Sequence, residues 1–159
     1  MSSRMHIRIG VAVAVSALAL ASVGAVSAAP ARKAVAVNIA GSTHLDTVVS
    51  PFVLQDVGTV SGSPVGSGDI TLIYTLMPKR GVAVTTFTIT NANGTVTGKA
   101  VSKYTVNTVT LSFTGAGRLT GGTGKYAGIT SGPLQFNALH SVTGKKEAIS
   151  FVGRATKPA

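Results

Sequence analysis

Three residues with the chemistry of a hydrolytic relay stand two apart in the run "GSTHLDTVV": Ser42, His44 and Asp46. On a β-strand alternate residues share a face, so the three would point together. Along that face, neighbours sit roughly 6.5–7 Å apart. That is too far for the direct hydrogen bonds a nucleophile, a base and an acid must share. The row therefore reads as a polar face turned to solvent, and Asp46 alone is kept as a weak candidate catalytic acid. Metal chemistry is no better supplied. His44, Asp46 and His140 could converge only through the fold, no short-spaced ligand pair supports them, and the chain has no cysteine. No metal and no cofactor is expected. His140, close to Lys145, reads as a loop residue.

A second chemistry is suggested by "LTGGTGKYAGITSG", Leu119 to Gly132, which holds five glycines in fourteen residues. A Walker loop needs four residues between its first Gly and Gly-Lys-Ser/Thr. Counting back from Gly124-Lys125 lands on Leu119, and Tyr126 follows where Ser or Thr is required. A dinucleotide fingerprint needs Gly-x-Gly-x-x-Gly at the start of a helix. Gly122, Gly124 and Gly128 are spaced one residue too long, and strand-like sequence follows. Phosphate binding is excluded on both counts. Glycines set among strand residues mark bulges, bends or close backbone approach at a barrel corner. Gly121, Gly122, Gly124, Gly128 and Gly132 are read as such a structural motif.

The elements around these residues alternate with a period of two. "DITLIYTLM" places Ile70, Leu72, Tyr74 and Leu76 on one face. "VAVTTFTIT" begins on Val82 and Val84 and continues on Phe87 and Ile89, which predicts a bulge near Thr85 and Thr86. Asn93-Gly94 is a two-residue hairpin signal. Val109, Leu111 and Phe113 share a face, as do Leu134 with Phe136 and Ile149 with Phe151. "AVAVNIAGSTHLDTVV" and "FVLQDVGTV" supply two earlier strands. About eight strands at roughly ten-residue spacing, with turn signals between, define an all-β sandwich or barrel. A barrel has the advantage of leaving no edge strands. Small barrels are filled by side chains or hold one small ligand. Filling is the default here. Were there a pocket, Leu72 and Tyr74 would be its weak candidate lining residues, with the tyrosine hydroxyl as the polar handle.

The N-terminus carries Arg4 and Arg8, then the uncharged run Val11 to Val26, then "SAAPA". This is the pattern of a secretory signal peptide, and the apolar run is shorter than the ~20 residues of a spanning helix. Cleavage is expected after Ala28, or after Ala31. The organisation is thus a signal peptide over 1–28 and a single domain over 29–159, its core about 35–153, with no membrane span left after cleavage and a secreted destination, extracellular or periplasmic. Charged residues are only 11% of the chain, against about 25% in an average domain. Ser, Thr, Asn and Gly must cover the surface. Loss of Arg4 and Arg8 would leave twelve basic residues against Asp46, Asp56, Asp69 and Glu147. The basic residues come singly or in pairs at expected turns, such as Lys79-Arg80 and Lys145-Lys146. With only three dispersed tyrosines as stacking platforms, nucleic acid is an unlikely partner.

The run "LTGGTGKYAGITSGPLQF" resembles the late hairpin of the allene oxide cyclase and dirigent barrel superfamily, whose Gly-Gly-Thr-Gly-x-Phe/Tyr run opens the next strand. "GSPVGSGDITLIYTL" and "TNANGTVTGKAV" stand upstream in the order that resemblance expects, so it spans roughly Ser63 to Leu139. It implies an all-β, eight-stranded antiparallel β-barrel with an apolar cavity, in some members trimeric, and bacterial secreted relatives without assigned role. The superfamily's contiguous His-Asp pair is absent, because Leu45 separates His44 from Asp46. No catalytic residue carries over. The expectation is a secreted barrel without enzymatic activity, structural or binding a small apolar ligand, and open to forming a homo-oligomer. The alternative is a cyclase- or dirigent-type protein acting on an oxidised lipid or a phenolic substrate.

The processing expectation is checked by intact-mass measurement of the exported chain. It should begin at Ala29 or Arg32, and a retained Met1 would overturn the signal-peptide reading.

Overall fold

The computed structural model describes residues 31–159, so the signal peptide and its cleavage site lie outside the described residues. The strands are β1 (Arg32–Ser50), β2 (Val53–Ser63), β3 (Gly66–Met77), β4 (Val82–Asn91), β5 (Gly94–Asn107), β6 (Thr110–Gly122), the two-residue β7 (Thr130–Ser131), β8 (Leu134–Ser141) and β9 (Glu147–Pro158). Each long strand pairs antiparallel with its neighbours in the order β1-β2-β3-β4-β5-β6-β8-β9, and β1 pairs with β9. The sheet is therefore a closed eight-stranded antiparallel barrel, with β7 as a short addition on β9.

Alternation decides which side chains point inward. Ile70, Leu72 and Tyr74 of β3 face Gly58, Asp56 and Leu54 of β2 and Ile89, Phe87 and Thr85 of β4. Directly opposed residues of an antiparallel pair share a face, so each inward row fixes the next around the barrel. The outward rows are polar, as with exposed Thr75, Thr86, Thr88 and Thr90. The strand turns define two ends. β1 rises to an upper end formed by the turns at 50–53, 77–82, 107–110 and 141–147. The turns at 63–66 and 91–94 and the long connection 122–134 form the lower end.

The lower half is filled by aromatic and aliphatic side chains. Phe87 and Phe136 pack on Phe151 with ring centroids 4.4 Å and 5.1 Å away. The glycine motif closes this end from below. A 3-10 turn over Gly124–Tyr126 carries Tyr126 under the barrel, where it is buried. Its hydroxyl donates to the Val65 carbonyl at 2.9 Å, and Asn91 Nδ2 donates to the same carbonyl at 2.8 Å and to the Tyr126 oxygen at 3.0 Å. The three connections of the lower end are thus tied together at this tyrosine and its neighbours, since Lys125 N–H also donates to the Asn93 carbonyl and Thr123 N–H to the Thr95 carbonyl.

Three local expectations are corrected. The β3–β4 register runs without a shift, so there is no bulge at Thr85 and Thr86. The inward row is Ala83, Thr85, Phe87 and Ile89, and Val84 faces outward. A buried threonine kept the phase where apolarity alone suggested a slip. The β4–β5 turn is made by Ala92 and Asn93, with Asn91 paired to Gly94. Asn91 Oδ1 accepts from the Asn93 N–H at 2.8 Å, and Gly94, with φ 132°, begins the strand. His140 is a buried strand residue, not a loop residue.

The five glycines differ in what they require. Gly124 has φ 57°, and a side chain there would run into the Asn93 carbonyl oxygen. At Gly122 a Cβ would lie 2.5 Å from the Thr95 carbonyl oxygen. At Gly132 it would meet nothing within 4 Å. Gly122→Val and Gly124→Val should each cost more than ~1 kcal/mol, while Gly132→Ala stays within ~0.5 kcal/mol. Thermal melts decide it: an unchanged melting temperature in both valine variants, or stabilisation of the parent by ATP, would contradict the structural role.

Candidate functional site

One acid lies inside the barrel wall among the described residues, and it is Asp56. The run Leu54, Asp56, Gly58, Val60 on β2 is the inward row, because Asp56 is registered against inward Leu72. From the far side, β8 brings His140, registered against Leu111 of β6. The two side chains meet in the interior. His140 Nδ1 stands 2.8 Å from Asp56 Oδ1 and 3.0 Å from Oδ2, with both residues about 1% exposed. A carboxylate only accepts, so Nδ1 carries the hydrogen and donates it. In the neutral ring, Nε2 is then left with a lone pair, and it has no protein partner.

Tyr74 lies beside this pair. Its ring stacks on Phe113 at 4.6 Å and meets the His140 ring edge-on at 6.0 Å. The Tyr74 hydroxyl is buried and has no protein partner. Burial, and secondarily the charge of Asp56, push the Tyr74 phenol well above the ordinary tyrosine range. The same end of the interior holds Thr85, opposite Tyr74, and Ser102, opposite Ala83 and Gly115. Thr43 of β1 stands opposite Gly58. The hydroxyls of all three are buried without a protein partner. A buried polar group left unpaired costs about 1–3 kcal/mol, so this end of the interior is a concentrated expense that the lower half does not carry.

The wall beside His140 is also incomplete. β8 pairs with β9 only from Gln135 to Ala138. Above that, Leu139 to Ser141 pair with β6 alone, while β9 begins at Glu147 and pairs with β1. The upper seam between β8 and β9 therefore has no ladder and is spanned by the 142–146 loop.

The residues singled out from sequence fall in different places. Leu72 and Tyr74 are fully buried and packed inward. A surface cleft of ≈ 600 Å³ runs along the β1–β4 wall past Ser42, Thr59, Ser61 and Thr90, and neither residue lines it. Asp46 is exposed on the outside, where Thr47 Oγ1 and Gln55 Nε2 donate to its Oδ2 at 3.0 Å and 2.9 Å. Ser42 and His44 are half-buried on the same outer row. The structure does not bring the three together with His140. Gly121 and Gly132 leave room for a Cβ, while Gly122, Gly124 and Gly128 do not. Among the described residues no group of three or more His, Cys, Asp or Glu side chains could hold a metal ion. The Asp56–His140 pair was missed because it is 84 residues apart in the chain. The run "VLQDVGTV" gave a divided signal, since Leu54 and Val60 share the face of Asp56 while Val53 and Val57 lie on the other, and only the register against Leu72 turns Asp56 inward.

The class that the fold defines is the closed eight-stranded antiparallel β-barrel. No family model matches the chain, so the likeness to the allene oxide cyclase and dirigent superfamily rests on its own glycine-rich residues. No curated protein matches it either. Among solved structures, a pyocyanin demethylase is similar at a TM-score of 0.33 and 15% identity, over 76% of this chain and 98% of that one. At that level the likeness carries no argument about the site.

The burial of Tyr74 has a pH signature. A phenol whose folded value is raised contributes stability that is whole below the unfolded value of about 10 and is lost as pH rises above it. Tyr74→Phe should therefore flatten the decline of stability above about pH 10 and be neutral or stabilising at neutral pH, where it removes an unpaired hydroxyl. In an alkaline spectrophotometric titration of the folded chain, parent and variant should show equal phenolate absorbance at about pH 11. One extra tyrosinate in the parent at that pH would refute the assignment.

Proposed function

We propose that this is a secreted barrel that binds a small, largely apolar molecule carrying one hydroxyl, in the upper half of its interior. One observation carries the reading: Asp56 locks Nδ1 of a buried histidine and leaves Nε2 as an unpartnered acceptor beside the unpartnered Tyr74 hydroxyl. A ligand hydroxyl would donate to Nε2, and its apolar body would lie against Tyr74, Phe113 and Leu72. Between β3 and β6 the inward residues of β4 and β5 at this end, Ala83, Thr85, Ala100 and Ser102, are small. The cluster is closed over in this structure, so access runs through the unladdered β8–β9 seam, by displacement of the 142–146 loop.

The same geometry favours a second reading of the cyclase or dirigent type. A histidine oriented by a buried carboxylate is a general base, and Nε2 could take a proton from a phenol while Asp56 stabilises the imidazolium that forms. An oxidised lipid or a phenolic compound would be the substrate.

Titration of the mature protein with naphthol, read by fluorescence, tests the first reading, together with native mass spectrometry of co-purifying small molecules. Saturable one-to-one binding is expected, weakened at least ~tenfold, or ~1.4 kcal/mol, by His140→Leu and abolished by Leu72→Trp in chains that still melt cooperatively. Absence of saturable binding by the parent would refute it. Turnover of a phenolic substrate that His140→Leu removes would establish the second reading in its place.

A further inference from the structure

The upper mouth differs in chemistry from every other part of the surface. Val48, Val49 and Phe52 stand at the β1–β2 turn, Val106 and Val109 at the β5–β6 turn, and Val142 in the β8–β9 loop, each between 45% and 68% exposed. Three further exposed large apolar residues, Ile73, Val101 and Val152, are scattered over the wall, and the lower turns present none among the described residues. Six apolar side chains on three separate tips of one mouth are not the random scatter expected of a water-facing surface.

Cations share this mouth. Lys79 and Arg80 form the β3–β4 turn, Lys145 and Lys146 lie in the β8–β9 loop, and Lys103 stands just below on β5, all exposed. The acids at this end are Asp46, already held by Thr47 and Gln55, and half-buried Glu147. Apolar tips alternate with positive charge around the rim.

From this pattern we infer that the upper mouth is a peripheral docking surface for an anionic lipid layer. Phe52 and the valine tips sit at the boundary of headgroups and acyl chains, and the Lys79-Arg80 and Lys145-Lys146 pairs meet the phosphates. Charge complementarity selects this occupant. A second copy docked mouth to mouth would set two basic rims against each other. A nucleic acid would meet aliphatic tips where it needs stacking faces. The polar Ser and Thr rows of the wall keep the rest of the barrel in water. The inference stands on the rim alone and does not depend on what the interior binds.

Co-sedimentation of the mature chain with vesicles tests it, using phosphatidylglycerol mixed with phosphatidylcholine against pure phosphatidylcholine. Binding is expected to the anionic vesicles only, and to weaken with added salt. The double variant Lys145→Glu/Lys146→Glu should weaken it at least ~tenfold. Val106→Ser/Val109→Ser should weaken it as well, and both variants replace exposed side chains and should melt with the parent. No binding to anionic vesicles, or binding that neither variant changes, would overturn the inference. So would a dimer in light scattering that the valine variant dissolves, because the apolar tips would then belong to a self-interface.

Discussion

Closure of the sheet is carried by one ladder, in which β1 from Arg32 to Thr43 pairs with β9 from Pro158 back to Glu147. Twelve paired positions join the two ends of the described chain. Without them, two long edges would offer unpaired backbone groups to other chains. A chain with 11% charged residues has little repulsion to prevent that. With no cysteine to staple the ends, stability depends on this backbone pairing and on the burial it creates. The ladder also fixes phase. By registering Ile39 against Phe151 and Val37 against Gly153, it settles which face of β1 and of β9 turns inward. The neighbouring strands inherit that choice, including β2 with Asp56 and β8 with His140.

Where the ladder stops matters as much as where it runs. Above Thr43, β1 has only β2 as a partner, and their ladder carries two register shifts, between Leu45 and Thr47 and between Val48 and Ser50. This end of β1 and the turn after it bring Val48, Val49 and Phe52 to the rim. The upper β8–β9 seam, next to His140, has no ladder either, because β8 pairs with β9 only as far as Ala138. At the lower end β6 also outruns its ladder with β8, which stops at Gly117, but the 122–134 connection covers that seam and Leu119 N–H donates to Ser131 Oγ across it. β7 adds two pairs to β9, and Tyr126 ties the 122–134 connection to Val65 and Asn91. The lower end is covered by this connection, whereas the upper β8–β9 seam is spanned only by the 142–146 loop.

The strands themselves were legible because each carries its own period-two signal: Ile70, Leu72 and Tyr74, or Phe136 and Leu134, announce a face without reference to any partner. The structural role of the glycines was legible too, since the failure of both phosphate motifs needs only counting. What could not be read locally was facing where polar residues lie inward. Thr85 interrupts an apolar row, so the phase was lost at a position where the register with Tyr74 keeps it. Asp46 drew attention through its neighbours His44 and Ser42, whereas Asp56, amid Leu54 and Val60, is the acid that the sheet turns inward. His140 sits one residue before the last of its strand, and only pairing with Leu111 shows it to be part of the wall.

The polar cluster is not explained by stability. The lower half shows that this sequence can fill a barrel with Phe87, Phe136, Phe151 and Leu134 and leave few polar groups to satisfy. The Asp56–His140 pair takes two polar side chains out of water, which is costly even with the hydrogen bond between them, and apolar residues of similar volume would avoid that cost. Here the pair is accompanied by the hydroxyls of Tyr74, Thr85, Ser102 and Thr43, none of which has a protein partner. Each adds a desolvation cost that an alanine, a valine or a phenylalanine would avoid. Had folding been the only demand, the upper interior would resemble the lower. The cost falls instead on residues from β1, β2, β3, β4, β5 and β8 that converge beneath the unsealed seam. That placement, with polar side chains from six strands gathered at one end, is the ground on which the proposed ligand site rests.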